Sequence, residues 1–536
     1  MEQLNGNPID VLIVGAGPAG LMLACQLVMH QVSFRIIDQK EFPSNNSGAL
    51  IVQARSLEIF EQMGIAGKAI SEGIIAGKVN VMYNGKTTLS TSIEDIGGKL
   101  SLFPFLLMLE QSKTERLLLN FITEHGLMIE RGIRFKSFIQ DSKGVSSDVI
   151  LQDGSECTIR SKYIIAADGA NSSIRNFLNI PFSGKTYQNP IFILDCKAQT
   201  ELATNEISFV FYRNSVSGFF PLQDSRWRID GSIPEEKGKK ENITFSDIAG
   251  NFQSQTGLSF TFKNHEWFSV AHSHQKYADS VRLQNCFLIG DAAHVNSPVG
   301  AQGMNTGLQD AYNLAWKLAF VINRKAKAEL LDTYSTERSG ISKGFAQYAD
   351  IVFQMVTSTN PIVKFFRLHI LKIIMKVMFP FMEKKSFRQK FFKSISQIGI
   401  HYRKSSLSLS SSDPDLLKDS PRPGDRLPYI EFLIRENKTN THRILDPILF
   451  NLLVFTSDLP EEIKEIAESY QLALTLISNV PDTKEIYKMM GIKNFGYYLV
   501  RPDMYIAFRS STMNVPLLKV YLQHILVIHP VEMQSD

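Results

Sequence analysis

Short apolar runs, each closed by a glycine or an acid within two residues, recur along this chain and alternate with stretches whose apolar residues return every three or four positions. The first run, residues 11–14 (VLIV), stops at Gly15-Ala16-Gly17-Pro18-Ala19-Gly20 and is followed by LMLACQLVMH. A four-residue run closed by glycine reads as a buried strand, and the stretch after it as a helix. A second run, 34–37, ends in Asp38, and a third, 163–166, leads into Asp168-Gly169-Ala170-Asn171-Ser172-Ser173-Ile174-Arg175. A fourth, 286–289, is followed by Asp291, a Gly/Pro-rich loop and a long amphipathic helix from about Gln302. Residues 183–279 hold the runs PIFILDCKA, ISFVFYR, SGFFPL and WRIDGSI, rich in aromatic side chains. They predict a mixed sheet, joined by part of residues 76–106. After the Ser-rich KSSLSLSSSDPD the pattern predicts strand 451–456, helix 460–470, strand 473–477 and helix 483–490. Two strands around YYLVRPDMYIAFR and a final helix, 515–525, complete it.

Composition narrows this picture. With 536 residues and 44% hydrophobic content, the chain exceeds what one core holds, so two or three packed units are expected. The net charge of +4, from 57 basic and 53 acidic side chains, gives the whole molecule no bias toward nucleic acid. Cys25, Cys157, Cys196 and Cys286 are far apart and make neither a C-x-x-C pair nor a zinc-ligand spacing, so no metal site is expected. The start MEQLNGNPID lacks the basic and apolar regions of a secretory signal, which makes a cytoplasmic protein the expectation.

The first strand, turn and helix carry specific chemistry. Gly15 permits the sharp turn, Gly17 removes the side chain that would keep a pyrophosphate from the backbone, and Gly20 lets helix and strand approach. Pro18 and Ala19 open the helix, whose N-terminus turns unpaired N–H groups toward an anion. Asp38, 23 residues after Gly15, is placed to accept hydrogen bonds from ribose hydroxyls. This spacing predicts a dinucleotide site without separating FAD from NAD.

Together, the glycine turn, the Asp168-Gly169 block and the stretch CFLIGDAAHVNSPVGAQGMNTGLQDAYNLAWKLA (286–319) resemble the class A flavoprotein monooxygenases, the aromatic hydroxylase family of p-hydroxybenzoate hydroxylase and phenol hydroxylase. The resemblance covers roughly residues 8–345 and continues in part to the C-terminus. It implies an α/β chain: a Rossmann-like FAD-binding domain (1–75, 107–182 and 280–345), an inserted mixed β-sheet substrate domain (76–106 and 183–279), a helical connector (346–410) and a thioredoxin-like C-terminal domain (411–536). It also implies that Asp168 lies in a block serving FAD and the nicotinamide cofactor, and that Asp291 binds the ribityl chain. The backbone from Gly300 through Gly303 and Met304 to Asn305 then lines the pyrimidine edge of the flavin, where a helix N-terminus meets the negative charge left by hydride, and Pro298 of the same loop is implied as a further cofactor contact. Gln53, Arg55 and Gln111 are implied as further cofactor contacts. Gly48 departs from the family's Ser-Arg-Ala and supplies no guanidinium. The C-terminal part has no cysteine, which excludes dithiol chemistry and leaves packing or a homodimer contact; Met504 stands in a turn where relatives often have glycine.

No second G-x-G-x-x-G follows a strand, so NADPH or NADH is expected to visit the flavin site transiently, as the family implies. The implied reaction hydroxylates an aromatic, phenolic or polyketide-like small molecule with O2 through a C4a-(hydro)peroxyflavin. A base that ionises a phenol is sought among Tyr212, Arg213, His272 and His274, each of which also reads as a strand-surface or hinge residue. An FAD-dependent dehydrogenase or reductase, and a flavin-binding redox sensor docked to membrane, are the alternatives. The last draws on residues 361–404, which carry eleven basic residues and one acid, Glu383, for +10, leaving −6 elsewhere. Apolar Val363, Phe366, Ile370, Ile373, Ile374 and Val377 follow helical spacing there, as in a helix lying on an anionic membrane or packed between domains.

Overall fold

The computed structural model describes residues 8–44, 48–187, 189–212, 215–233, 242–250, 252–296, 302–341, 358, 360–409, 420–434 and 436–527. Pro298, Gly300 and Arg213 lie outside these residues.

The runs 11–14 and 163–166 bring their strands together because each is apolar on both faces and has to be covered on both, while the run 34–37 carries Arg35, which pairs with Glu130. Ile9–Val14 pairs in parallel with Glu156–Ala166 on one side (Val11 opposite Tyr163) and with Phe34–Asp38 on the other. Cys286–Leu288 pairs in parallel with Glu156–Ala166. The three motifs, more than a hundred residues apart in sequence, therefore leave the sheet at one edge, the carboxyl ends of parallel strands, where open α/β sheets bind ligands. Val11, Leu12, Ile13, Ile164 and Ile165 are fully buried. Helix Pro18–Met29 packs on Gly303–Ile322 and Gln111–Glu124. A hairpin, Arg134–Asp141 with Gly144–Ile150, extends the sheet to eight strands.

The aromatic segment forms a seven-stranded mixed sheet in the order Phe260–Ala271, Ile191–Thr200, Arg226–Ser232, Ser215–Leu222, Glu206–Tyr212, Lys78–Tyr83, Lys86–Ser92. Two of its strands come from residues 78–92. Side chains alternate across it: Trp227, Ile229 and Phe219 join an apolar cluster with Phe252 and Phe260, while Phe220, Arg228 and Asp230 look toward the first sheet's motif edge.

The C-terminal elements follow the sequence pattern closely. Asn451–Phe455 pairs in parallel with Ala473–Ile477 and antiparallel with Gly496–Val500, which pairs with Ile506–Ser510. With helices Glu461–Ser469, Lys484–Met490 and Val515–Ile525, this is a thioredoxin-like arrangement. The turn residue Met504 has φ +64°, a left-handed conformation that glycine adopts more easily than other residues. Trp316 and Phe320 of the long helix share a core with Phe450 of this unit. Beside them a fully buried ion cluster crosses the same seam: Glu337 accepts from Lys317 Nζ at 2.8 Å and from Arg501 Nη1 at 2.6 Å.

Candidate active site

The glycine turn is held by the protein itself at two of its three glycines. Gly15, at φ +107°, donates from N to Ile37 O at 2.8 Å, and a Cβ there would lie 2.3 Å from Ala167 O. A Cβ on Gly20 would lie 2.0 Å from Gly15 O. Gly17 differs: nothing stands within 4 Å of its missing Cβ, and it faces a cleft of about 490 Å³. Asp38 braces the turn from behind, accepting from Ala16 N at 2.7 Å and from Lys40 N at 2.8 Å.

The far side of the cleft floor is the turn Gly290–Ala292 and the start of helix Gly303–Ile322. Gly290 (φ +58°) sits against Ala19 and Gly307: a Cβ on Gly290 would lie 2.9 Å from Ala19 Cβ, and one on Gly307 would lie 3.1 Å from Gly290 Cα. Asp310, one turn further along the helix, clasps the loop. Its Oδ2 accepts from Gly290 N at 3.0 Å and meets His294 Nε2 at 2.6 Å, and its Oδ1 accepts from Arg338 Nε at 2.7 Å. Arg338 donates onward to Thr306 O and Tyr402 Oη. Burial alone would raise the Asp310 carboxyl, but His294 and Arg338 outweigh it and hold the group below its ordinary value. At the cleft itself Asp291 is raised by desolvation, with His294 opposing and Asp310 adding to the rise. Asp310→Asn keeps the volume but leaves Arg338 buried beside a neutral amide, and is expected to cost about 3–5 kcal/mol. Urea unfolding checks this; an unchanged midpoint would refute the clasp.

At the third side, Gln111 Oε1 accepts from Ala49 N at 3.0 Å and Gln111 Nε2 donates to Glu115 at 2.8 Å. A Cβ on Gly48 would meet Gln111 Oε1 at 3.3 Å, so the glutamine occupies the space beside the glycine. Lys40 contributes a cation to the same cleft.

The wall opposite the floor is polar on an otherwise aromatic sheet. Arg228 is buried and holds Asp195 across the strand pair with two hydrogen bonds, one of them 2.8 Å from Nη2 to Oδ2. Two residues on, Asp230 points to the same face. Desolvation pushes its carboxyl up to about 6, Arg228 opposing and Asp195 adding to the rise. Its Oδ1 is buried and, among the described residues, has no hydrogen-bond partner. Phe220, the cross-strand neighbour of Arg228, completes this wall.

Residues 8–349 match the model of a family described as FAD binding domain. The chain belongs to that family. It is 28% identical over 535 residues to 6-methylpretetramide 4-monooxygenase of Streptomyces rimosus, covering 96% of this chain and 93% of the relative. It is 32% identical to pentachlorophenol 4-monooxygenase of Sphingobium chlorophenolicum over 62% of each chain. Its fold is that of aklavinone-11 hydroxylase in a ternary complex with FAD and aklavinone, at TM-score 0.80 and 22% identity, covering 97% of this chain and 99% of that one. The protein is an FAD-dependent monooxygenase.

The residues present suit FAD. The hollow at Gly17 and two helix N-termini, at Pro18 and Gly303, offer an anion its space and its donors. Asn296 lines the cleft with both amide atoms buried and, among the described residues, unpartnered, which suits a heterocycle edge that both donates and accepts. Pro18, Ala19, Gly303 and Met304 line the cleft as well. Several residues expected at the cofactor of this monooxygenase stand elsewhere. Arg55 is fully buried in the seam with the C-terminal unit: it donates to Glu58 at 3.1 Å, to Met504 Sδ at 3.1 Å and to Asp503 O at 2.7 Å. Asn305 and Gln53 stand behind the cleft, where the Asn305 amide accepts from Gln53 N and Ser56 Oγ and donates to Ile51 O. Asp168 is turned to its own helix, accepting from Ser173 N and Ile174 N, while its neighbours Ala167 and Gly169 line the cleft.

None of the sought bases among the described residues lines the cleft. His272 Nδ1 is 3.1 Å from Tyr187 O, His274 pairs with Thr186 Oγ1 at 2.9 Å, and Tyr212 packs at Gly257. Arg228 and Asp230 are absent from the residues that sequence reasoning selects, although WRIDGSI carries a readable signal: opposite charges two apart on a strand, flanked by Trp227 and Ile229, mark a charged face on a sheet that buries its other side.

Proposed function

We propose that this monooxygenase hydroxylates an aromatic, phenolic or polyketide-like substrate with O2 and NADPH or NADH, holding the substrate between the flavin-side floor and the wall of Phe220, Arg228 and Asp230. The observation that carries this is Asp230, a carboxyl held near 6 at the cleft with an unpartnered oxygen among the described residues. A group of that acidity is ionised at neutral pH and can act as a general base, taking the phenolic proton as the ring is attacked and so raising its electron density in the transition state. Pentachlorophenol, named as the substrate of one relative, puts phenols among the candidate substrates. The Arg228–Asp195 pair fixes the wall, and its guanidinium favours an oxyanion beside it. Phe220 offers an apolar face to the ring. Lys40 stands as the cation for the diphosphate in place of the arginine that Gly48 lacks. FAD, when bound, supplies the hydride acceptance and oxygen activation. The overall balance is substrate, O2, NAD(P)H and a proton giving hydroxylated substrate, NAD(P)⁺ and water.

The test is oxygen uptake and product analysis by the yellow holoprotein with a panel of phenols and polyketide aromatics, using NADPH and NADH separately. Uptake stimulated by a panel member, with one oxygen atom gained by product, is expected. Nicotinamide oxidation that passes electrons to another acceptor, without an oxygenated product across the panel, would make the protein a dehydrogenase or reductase instead.

A further inference from the structure

The basic helical segment behaves differently from a connector. It runs as Pro361–Phe365, one π-helical turn Phe366–Ile370, Leu371–Met382 and then Lys385–Ile395. Its inner face is already used: Met375 and Phe379 pack on Val81, Tyr83, Leu89, Phe211 and Val216, at the edge of the seven-stranded sheet. A second apolar stripe points outward. Ile370, Ile373, Ile374, Val377, Met378 and Phe381 recur at helical spacing and are all exposed, Ile373 and Val377 by 63% and Phe381 by 51%. A helix with one apolar face in the core has no folding reason for a second in water, and a continuous exposed patch of this kind marks a docking surface.

Charge decides what docks. Lys376, Lys384, Lys385, Lys390 and Lys393 are exposed along the same segment, and Lys384 Nζ lies 4.8 Å over the Phe381 ring. The one acid of residues 361–404, Glu383, already pairs with Arg388 and accepts from Thr91. A second copy of this chain, meeting the stripe about a two-fold axis, would bring lysines against lysines. Among the described residues no helix is long and apolar enough to cross a membrane, so the segment suits a surface rather than a span. We infer that this face lies on a bilayer containing anionic lipid, the apolar stripe entering the acyl boundary and the lysines reaching the headgroups.

The test is flotation of the FAD-loaded protein with vesicles of phosphatidylcholine alone and of phosphatidylcholine with about one third phosphatidylserine. Retention on the anionic vesicles, released by raised salt, is expected. Ile373→Glu with Val377→Glu, and separately Lys384→Glu with Lys385→Glu, should each lower partitioning on the order of tenfold or more. Both pairs are exposed, so flavin content and melting temperature should stay at the parent's values, which separates lost docking from lost fold. Absence of retention, equal retention on neutral vesicles, or indifference to both double variants would overturn the inference. So would a dimer in solution that Val377→Glu converts to monomer, because a second copy would then own the face.

Discussion

Asp230→Asn is expected to lower kcat for hydroxylation of a phenol about 10²–10⁴-fold, the range for a lost general base, while flavin content is unchanged. The amide keeps the shape of the wall, so what disappears is the proton acceptor. Two further readouts separate this from structural damage. The parent's kcat/KM should rise with pH through about 6 and then level, because the carboxyl has to be ionised to act; the substituted enzyme should lose that limb. Stability should move in the opposite direction to activity. A carboxyl whose folded value is raised from 3.8 to about 6 contributes stability that is present below pH 3.8 and lost as pH rises through 6. At pH 8 the ionised group therefore weighs against folding, by up to about 3 kcal/mol, and its neutral replacement should unfold at higher urea. A substituted enzyme that retains parental turnover and pH profile would remove Asp230 from the reaction.

Gly17→Val should empty the flavin site and leave the fold intact. The backbone there (φ −80°, ψ −176°) is open to any residue, and nothing stands within 4 Å of the added Cβ. The apoprotein should thus keep its urea midpoint within about 0.5 kcal/mol, as for a substitution that meets no neighbour. The valine fills the space a diphosphate needs to reach the first-turn amides. Losing two charge-assisted hydrogen bonds costs about 3–6 kcal/mol, or roughly 10²–10⁴-fold in FAD affinity. Gly20→Val is the contrast. Its Cβ would press on Gly15 O at 2.0 Å, so fold and flavin should be lost together. Fluorescence titration with FAD alongside urea unfolding checks both. Full flavin retention in Gly17→Val would show that the diphosphate does not lie there.

Much of the architecture is legible in the sequence because its determinants are local. The strand–turn–helix at 9–29 follows from apolar runs and glycines two and three residues apart, and the C-terminal order of strands and helices follows from periodicity within segments of ten residues or so. Met504 reads as a turn residue, and its positive φ gives the physical basis. Arg55 misleads because the family resemblance implies a cofactor contact there, whereas its partners Met504 and Asp503 lie about 450 residues away. The stripe 370–377 reads as amphipathic, yet spacing alone gives a face and not what that face meets. The helix carries two apolar faces, and only packing on Tyr83 and Leu89 shows which is spent.

The division falls along range. By itself the sequence determined that strands end in glycine turns and acids suited to a dinucleotide, since those requirements are met within one turn of backbone. Only the tertiary structure decided which distant side chains share the cleft. It turned Arg228 and Asp230 inward and left Tyr212, His272 and His274 aside. It also placed Asp310 between Gly290, His294 and Arg338. Period-two alternation defines two faces of a strand, but the partner sheet chooses which of them looks into the cleft.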